Sequence, residues 1–480
     1  MKIPEYIKEI IAKLERGGHE AFIVGGCVRD LLMDRIPKDW DITTNAVPEE
    51  IIKVFPDGKY ENTFGTVILP VREREEVIDV VEITTYRSEQ GYSDRRHPDK
   101  VFFEKELDKD LERRDFTVNA MALKVSEKKP EVVDLFGGQK DLIKKVIRAV
   151  GEPTDRFKED ALRMMRAVRF SAQLAFEIEP KTERAILKLA GSIKFVSKER
   201  IRDELVKIMA SDRPYEGLMK LHELKLLQYI IPELEKGVGV AQNRHHTYTV
   251  FKHSVLALKF CPNKDWRVRL ASLLHDIAKP DTKKIIKGDA TFYNHDILGA
   301  KIAKKIALRL KFSNADMEKI TLLVRNHMFY YNVGEVTEAS VRRLIKKVGE
   351  ENLKDLIDLR IADRLGSGVP KAKPYKLRHL EYMMQKVRKD PISVKMLKID
   401  GNDLIKTLRL EPGPKIGAIL DVLLSEVIED PKLNIKTSLE KRAIELNKLE
   451  LSELREKARE KIEEKKEEED KELKSEFFVK

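Results

Sequence analysis

The chain has 480 residues, of which 36% are charged and 42% are hydrophobic, and its formal net charge is +11. This length exceeds what one hydrophobic core supports, so it predicts several domains. The surplus of basic residues favours an anionic partner such as nucleic acid over a role in solubility alone. Cys27 and Cys261 form no disulfide or metal-ligand pattern, and no segment is apolar enough for a signal peptide or a membrane span, which excludes a secreted or membrane protein and predicts a cytoplasmic one.

The first 150 residues predict an α+β head, a small mixed sheet with helices. Residues 5–16 have the apolar spacing of an amphipathic helix that ends at Gly17-Gly18. Short apolar runs bounded by turn residues then predict strands at 21–24, 41–44, 66–71 and 77–84, with a helix at 48–55 between them.

From residue 151 onward, helical periodicity dominates and strand signals almost vanish. We expect an all-α remainder: a neck at 151–240, a second domain at 241–370, and a body with a charged tail at 371–480. The tail, rich in Glu, Lys and Leu, predicts a long solvated helix or a frayed end rather than a partner-binding segment.

Two short motifs near the amino terminus suggest phosphate and metal chemistry. Gly25-Gly26 lies at a predicted strand-to-helix turn, where backbone N–H groups can approach a phosphate, and Arg29 follows in the helix. Asp39 and Asp41 point to the same face of a strand, and two neighbouring carboxylates suit Mg²⁺ ions, which prefer oxygen ligands. The alternative is a solvated turn around an exposed Trp40.

Five motifs follow one another in the first half of the chain: GGCVRDLL, DWDITTNA, EITTYRSEQGYSDRRHP, LERRDFTVNAMA and EDALRMMRAVRF. Together they resemble the class II tRNA nucleotidyltransferase and poly(A) polymerase family over roughly residues 15–240. The resemblance implies nucleotidyl transfer by two Mg²⁺ ions. It assigns phosphate binding to Gly26 and Arg29, catalysis and Mg²⁺ binding to Asp39 and Asp41, and nucleotide binding to Arg114 and Asn119. It also assigns the place of a third carboxylate to Glu82 and a structural role to Asp115.

Residues 159–170 contain no helix breaker and predict one helix, on which Asp160 and Arg163 are surface neighbours. One interpretation is an ordinary ion pair within the helix. The family resemblance implies instead that the two side chains read the incoming base. Asp160 only accepts hydrogen bonds and Arg163 only donates them, which matches the amino edge of cytosine and adenine and opposes uracil and guanine. Arg166 is a candidate phosphate ligand, and Arg169 is either a second one or a surface charge.

Residues 85–98 lack apolar periodicity and predict a loop. In the family that the motifs resemble, a loop at this place accompanies the switch from C to A addition. Its presence argues against an enzyme that adds only C. It does not separate a full CCA-adding enzyme from one that adds only the terminal A.

A second set of residues predicts a metal site in the domain at 241–370. His275-Asp276 is an adjacent pair within the predicted apolar helix LASLLHDIAK, and burying both side chains without partners is costly. With His253 upstream and Asp363 downstream, the set resembles the HD phosphohydrolase domain, which implies a divalent metal of undetermined identity. His295 and His327 are candidates for a second metal ion, and His245 and His246 for a loop near the pocket mouth.

The sequence thus predicts addition of C, C and A to the 3′ end of tRNA from CTP and ATP, with binding of the tRNA acceptor arm and no membrane contact. The HD site predicts phosphoesterase activity on tRNA ends. The alternatives within the class are an A-only adding enzyme and a poly(A) polymerase. The alternative from another class, an HD phosphohydrolase with a nucleotide- or RNA-binding head, does not require the Asp39 and Asp41 pair. The sequence does not indicate the oligomeric state.

Overall fold

The computed structural model describes the chain except for residues 1, 62–63, 75, 92–98, 127–129, 243–246, 330, 369–372, 389–393 and 480, and except for the side chains of residues 428, 429, 431, 458–466, 468 and 469. His245, His246 and half of the predicted loop at 85–98, residues 92–98, therefore lie outside the described residues. In the described half the loop prediction is wrong for Arg87–Gln90, which form a strand paired with Lys100–Phe103.

The head alternates short helices and strands. Its elements are α1 (Glu5–Arg16), β1 (Ala21–Val24), α2 (Gly26–Leu32), β2 (Trp40–Thr44), α3 (Pro48–Val54), β3 (Lys59–Tyr60), β4 (Thr66–Glu73), β5 (Glu76–Thr85), β6 (Arg87–Gln90), β7 (Lys100–Phe103), α4 (Leu107–Glu112), β8 (Ala122–Lys124), β9 (Glu131–Val133), α5 (Gly138–Lys144) and β10 (Val146–Ile147).

Among the described residues, seven strands form one mixed sheet in the order β3-β4-β5-β2-β1-β8-β9. β2 runs parallel to β5 and antiparallel to β1, so it lies at the centre of the sheet. The apolar side of α1 packs into the same core, because Ile7, Ile10, Ile11 and Leu14 recur at helical spacing and are all buried. The predicted α+β head is therefore confirmed, and its central strand carries Asp41.

The described part of the chain after β10 is mainly helical, with three short strands among its helices. Its elements are α6 (Pro153–Glu159), α7 (Leu162–Leu174), β11 (Glu177–Ile178), α8 (Pro180–Leu189), α9 (Lys198–Met209), α10 (Pro214–Glu223), α11 (Leu227–Ile230), α12 (Pro232–Glu235), α13 (Val250–Phe260), α14 (Trp266–Leu274), α15 (Lys279–Thr282), β12 (Lys284–Ile286), β13 (Asp289–Thr291), α16 (His295–Arg309), α17 (Asn314–Asn326), α18 (Glu338–Val348), α19 (Leu353–Gly366), α20 (Tyr375–Arg388), α21 (Gly401–Leu408), α22 (Pro414–Glu429), α23 (Lys436–Leu446) and α24 (Leu451–Glu476).

The prediction of one continuous helix over residues 159–170 is wrong. α6 ends at Glu159, and Asp160 has an extended backbone with φ −140° and ψ 107°. The helix resumes at Leu162, whose backbone N–H donates to the Asp160 carboxylate at 3.0 Å. An aspartate that binds a nearby backbone N–H in this way competes with the helical hydrogen bonds, which explains the break.

The chain divides into two compact units. The first contains Met1–His327 and Lys354–Pro370, and the second contains Met328–Leu353 and Lys371–Lys480. The predicted domain boundaries at 150 and 240 fall inside the first unit and stay predictions. The second unit has its own apolar core, to which α22 contributes eight buried side chains. Among the residues that the structure describes, none of the helices has the length and apolar character that a membrane crossing requires.

Candidate functional site

A cavity of about 770 Å³ in the first unit brings together the residues predicted for nucleotidyl transfer. Its walls come from the start of α2, the segment leading into β2, the segment after α4, and the helices α7 and α9. All ten residues predicted for this site line it: Gly26, Arg29, Asp39, Asp41, Arg114, Asn119, Asp160, Arg163, Arg166 and Arg169. Their individual roles stay predictions.

The turn between β1 and α2 is shaped by Gly25. Its φ is +79°, and a Cβ atom at this position would lie 3.0 Å from Nη1 of Arg114. Only glycine combines this backbone conformation with such a close approach of a guanidinium group. Arg29 follows in α2 and donates from Nη1 to Oδ1 of Asn119 at 2.8 Å, which ties the helix to the segment after α4.

Asp39 and Asp41 are held by the buried thiol of Cys27. Its Sγ donates to the carbonyl oxygen of Asp39 at 3.0 Å and accepts from the backbone N–H of Asp41 at 3.1 Å. Trp40 between them is buried, so the alternative of a solvated turn around an exposed tryptophan is wrong. Burial raises the pKa of the Asp41 carboxyl, and Asp39 raises it further although Arg114 opposes the shift. A cation beside the two carboxylates would relieve this cost, so the pair fits Mg²⁺.

Glu82 lies directly opposite Asp41 in the parallel register of β2 and β5. Burial raises the pKa of the Glu82 carboxyl, and the neighbouring charge of Asp41 adds to this shift. Glu82 does not line the cavity, so its role as a third carboxylate stays a prediction.

Buried carboxylates orient the arginines of the cavity. Asp110 accepts from Arg113 at 2.6 Å and from Arg114 at 3.0 Å. Asp115 accepts from Nε of Arg166 at 2.6 Å, which agrees with the structural role predicted for it. Burial works against ionisation of both carboxyls, but the adjacent guanidinium groups keep the pKa of each below its usual range.

Arg169 is not a surface charge, because its side chain is buried against α9. It donates from Nη1 to Glu204 at 2.9 Å, and its guanidinium carbon lies 4.2 Å from the centre of the Phe170 ring. Burial lowers the pKa of Arg169 to about 10, although Glu204 opposes the shift.

Asp160 and Arg163 both line the cavity, but each is paired with another residue. Asp160 accepts from Nη2 of Arg200 at 2.6 Å, and Arg163 donates from Nη1 to Glu159 at 2.5 Å. The alternative of an ordinary ion pair between Asp160 and Arg163 is therefore wrong.

The cavity is electropositive over most of its wall. Among the described residues that line it, cationic side chains outnumber carboxylates by nine to five. The cations are Arg29, Arg87, Arg113, Arg114, Arg163, Arg166, Arg169, Arg200 and Lys207, and the carboxylates are Asp39, Asp41, Glu89, Asp115 and Asp160. Such a concave surface suits a polyanion such as a nucleoside triphosphate.

The predicted HD residues also converge within the first unit. Nε2 of His253 lies 3.0 Å from Nε2 of His275, 3.1 Å from Oδ2 of Asp276 and 3.3 Å from Oδ1 of Asp363. His275 and Asp276 directly follow α14 rather than lying inside it. Asp276 also faces His295 at 3.3 Å through its other oxygen, Oδ1.

Two groups of possible metal ligands share the carboxylate of Asp276. One contains His253 and His275, and the other contains His295 and His327, with all ligand atoms of a group within 4.8 Å of one another. All five side chains are buried. The carboxylates of Asp276 and Asp363 raise the pKa of His275 to about 10 against the opposing effect of burial, so the cluster attracts positive charge.

The orientation of the imidazole rings fits a divalent metal. The Nδ1 atoms of His275, His295 and His327 each lie 2.7 Å from the backbone carbonyl three residues earlier. A carbonyl only accepts, so each Nδ1 carries a proton and the Nε2 atom is the one that faces the cluster. Facing Nε2 atoms lie 3.0 Å and 3.2 Å apart in the two groups. A divalent metal at the cluster would take the place of the proton that the raised pKa of His275 keeps on its Nε2.

Three family models match the chain. The Poly A polymerase head domain matches residues 21–148, the probable RNA and SrmB-binding site of polymerase A matches residues 175–237, and the HD domain matches residues 244–367. An A-adding tRNA nucleotidyltransferase from Deinococcus radiodurans is 36% identical over 66% of this chain and 74% of its own length. A CCA-adding enzyme from Limosilactobacillus reuteri is 33% identical over 92% of this chain and 97% of its own length. The chain belongs to the class II tRNA nucleotidyltransferase and poly(A) polymerase family.

The fold agrees with this membership. The crystal structure of the Bacillus stearothermophilus CCA-adding enzyme in complex with CTP matches 93% of this chain and 98% of its own, with 26% identity and a TM-score of 0.56. As a member of the family, the protein is a nucleotidyltransferase with an HD domain in its helical part. The predicted family, fold class and enzyme class are confirmed.

Sequence reasoning missed the wall of the nucleotidyltransferase cavity that α9 supplies. Arg200 and Lys207 line the cavity, and Glu204 on the same helix binds Arg169. Arg200, Glu204 and Lys207 are separated by four and three residues, which places all three side chains on one face of a helix. This spacing was the available sequence signal. Charged residues at this spacing are usual on solvated helices, so the pattern alone does not indicate a site.

Proposed function

We propose that this nucleotidyltransferase adds C, C and A to the 3′ end of tRNA, using CTP and ATP without a template. The observation that carries the proposal is a single electropositive cavity that contains a carboxylate pair, a set of arginines and two side chains of complementary hydrogen-bonding character. Relatives at 33% and 36% identity are a CCA-adding and an A-adding enzyme, which supports the same reaction class.

Asp39 and Asp41 would hold Mg²⁺. The metal, when bound, supplies a lowered pKa for the attacking 3′-hydroxyl and charge neutralisation for the pyrophosphate that leaves. The buried thiol of Cys27 keeps the backbone of both aspartates in place. The backbone that carries both carboxylates therefore needs little reorganisation when the nucleotide enters.

Arginines around the cavity would bind the triphosphate. Arg29 and Arg114 flank the glycine turn, and Asn119 accepts from Arg29 and so fixes the direction of its guanidinium group. Arg166 donates from Nε to the buried carboxylate of Asp115, so the remaining N–H groups of Arg166 can bind phosphate oxygens. Charge-assisted bonds of this kind position the α-phosphorus for attack.

Asp160 and Arg163 would choose the base. Cytosine and adenine each offer an amino donor beside a ring-nitrogen acceptor, which matches one acceptor and one donor of the protein. Uracil and guanine offer a carbonyl beside an N–H, and either would leave polar groups unpaired on both sides.

The proposed partner is the acceptor arm of tRNA. The excess of basic side chains favours contacts with phosphates, and double-stranded RNA is recognised by shape and backbone more than by sequence.

Three RNA substrates test the proposal directly. Purified protein is given CTP and ATP with a tRNA lacking CCA, a tRNA ending in CC, and an unrelated RNA, and the products are sequenced. We expect CCA on the first, a single A on the second and no extension of the third. Extension of the second alone indicates an A-adding enzyme, and long A tracts on all three indicate a poly(A) polymerase.

The HD cluster supports a second activity, metal-dependent hydrolysis of phosphate esters on tRNA ends. The observation that favours it is the sharing of Asp276 by two buried ligand groups. Metal in such a centre supplies an activated water at neutral pH. The test incubates the protein with 2′,3′-cyclic phosphate and 2′-phosphate ends in the presence of Mg²⁺, Mn²⁺, Ni²⁺ or Co²⁺. Absence of hydrolysis with all four metals contradicts the proposal for these esters.

A further inference from the structure

Arg200 of helix α9 donates two hydrogen bonds to the carboxylate of Asp160, the residue proposed to read the base. Arg200 lies near the start of α9, forty residues after Asp160, and both side chains line the cavity. Its planar guanidinium donates from Nη1 to Oδ1 of Asp160 at 3.2 Å and from Nη2 to Oδ2 at 2.6 Å. Two parallel bonds from a rigid fork fix the plane of a carboxylate, which one bond does not do.

Within the part of the chain that the structure describes, the hydrogen bonds to Asp160 leave one acceptor site of its carboxylate open. A carboxylate has about four lone-pair sites, two on each oxygen. Oδ1 accepts both the backbone N–H of Leu162, at 3.0 Å, and Nη1 of Arg200. Oδ2 accepts Nη2 of Arg200, so its second lone pair is the site that remains for a donor on a nucleotide base.

The two hydrogen bonds from Arg200 matter for the orientation of Asp160, because its backbone lies in the break between two helices. It has an extended conformation between the end of α6 and the start of α7. Arg163, in contrast, lies within α7 and is held by the Glu159 carboxylate and by the backbone carbonyl of Arg113 at 3.2 Å. The acceptor and the donor of the proposed pair are therefore oriented by separate parts of the fold.

We propose that Arg200 is a positioning residue for base selection, which directs the open lone pair of Asp160 Oδ2 toward the amino group of cytosine or adenine. This inference rests on the proposed base-reading role of Asp160. Arg200 keeps the carboxylate from turning away from a bound base and leaves no donor of its own on that side of Oδ2. A carbonyl oxygen of uracil would then face a fixed acceptor, so the same arrangement that favours CTP opposes UTP.

A double-mutant cycle tests the inference in the full-length protein. The variants are Arg200→Gln, Arg200→Lys, Asp160→Ala and the double change Arg200→Gln with Asp160→Ala. Arg202→Gln is the matched control, because Arg202 lies on the same helix, pairs with Asp203 and does not line the cavity. The measured quantity is the ratio of kcat/KM for CTP to that for UTP on tRNA lacking CCA, together with kcat and KM separately.

We expect Arg200→Gln to lower this ratio about tenfold, within the range of one base-edge contact, mainly through a higher KM for CTP. Arg200→Lys keeps the charge without the fork and should fall between Arg200→Gln and the wild type. In the Asp160→Ala background, Arg200→Gln should cause no further loss of preference. Arg202→Gln should keep the wild-type ratio.

Two results would overturn the inference. An unchanged CTP-to-UTP ratio in Arg200→Gln, even with slower addition of both nucleotides, would show that Arg200 only holds α9 against the segment between α6 and α7. Equal losses from Arg200→Gln with and without Asp160 show that Arg200 acts independently of that carboxylate. A wild-type ratio in Asp160→Ala contradicts the base-reading proposal itself, which separates that failure from a failure of the Arg200 inference alone.

Discussion

The buried carboxyl groups in and near the nucleotidyltransferase cavity differ in the direction in which their pKa is shifted. Burial raises the pKa of Asp41, so this group gains from an incoming cation. Asp110 and Asp115 are also buried, but their arginine partners lower the pKa of each. A carboxyl group with a raised pKa is suited to binding a metal ion, and one with a lowered pKa is suited to fixing guanidinium groups. The sequence alone does not separate these roles, because all three residues are aspartates.

The first residue-scale prediction concerns Asp39 and Asp41. Asp39→Asn and Asp41→Asn keep the side-chain shape but remove the negative charge, so Mg²⁺ should bind weakly. We expect each to lower kcat for C and A addition by at least about a hundredfold while tRNA affinity stays near the wild-type value. Asp57→Asn, at an exposed position of the head, is the control. Near-normal addition by either active-site variant would remove that residue from metal binding.

The second residue-scale prediction concerns the pH dependence of stability. The pKa of Asp110 is lower in the folded state, because Arg113 and Arg114 outweigh the effect of burial. Its ionised form therefore stabilises the fold above the pKa of the unfolded chain, near 3.9, and this contribution is lost as the pH falls through the folded-state value.

Asp110→Asn should accordingly lower the free energy of unfolding at pH 7 by about 2 kcal/mol, the scale of hydrogen bonds to charged groups. The difference from wild type should shrink as the pH falls below the pKa of the unfolded chain, near 3.9, toward the lower folded-state value. Urea denaturation across this pH range measures both effects. A difference that is the same at every pH would show that the ionised form of Asp110 does not stabilise the fold.

At the scale of elements, the sequence predicts local structure better than contacts between distant segments. The bounds of α1 and β1 match the prediction, because apolar spacing and Gly17-Gly18 act within a few residues. The helix predicted over 159–170 was wrong, because the break at Asp160 depends on a side chain that bonds to the backbone. The role of α9 was missed, because its contact with Asp160 arises only when the helices pack.

The HD cluster also depends on a close approach of helices, in this case α13 and α19. A Cβ atom on Gly366 would lie 2.8 Å from the backbone nitrogen of Ala257 and 3.1 Å from the carbonyl oxygen of His253. Backbone atoms cannot rotate away as a side chain does, so only glycine permits this spacing. Asp363 lies one turn before Gly366 and reaches His253 at 3.3 Å as a result.

Gly366→Ala should therefore push α19 away from α13 and draw Asp363 out of the cluster. We expect affinity for the divalent metal to fall about tenfold to a hundredfold, as for other changes that misalign ligands, with nucleotide addition retained. Gly299→Ala is the matched control near the same cluster, because its nearest neighbours would lie at 3.5 Å, an ordinary contact distance. Equilibrium dialysis with Mn²⁺ or Ni²⁺ measures the affinity, and equal binding by both variants would contradict the role of Gly366.

At the scale of the whole molecule, two sets of chemical groups lie in the first unit without sharing a residue. The residues of the nucleotidyltransferase cavity come mainly from the head, α7 and α9. Those of the HD cluster come from α13, the end of α14, α16, the end of α17 and α19. Both sets suit chemistry at phosphorus, and both proposals involve the end of an RNA. Separate ligand sets imply that either centre can be removed while the other keeps its geometry.

The last prediction tests this independence. His275→Ala combined with Asp276→Ala removes ligands from both metal groups and should abolish metal binding and any phosphodiesterase activity of the HD cluster. Addition of C and A should stay within about twofold of wild type, since additivity is expected for sites without shared partners. Asp41→Asn should show the reverse pattern, with addition lost and phosphodiesterase activity kept. Because the cluster is buried, thermal unfolding of each variant must accompany the assays. A folded double variant that loses nucleotide addition would show that the two centres are coupled through the first unit.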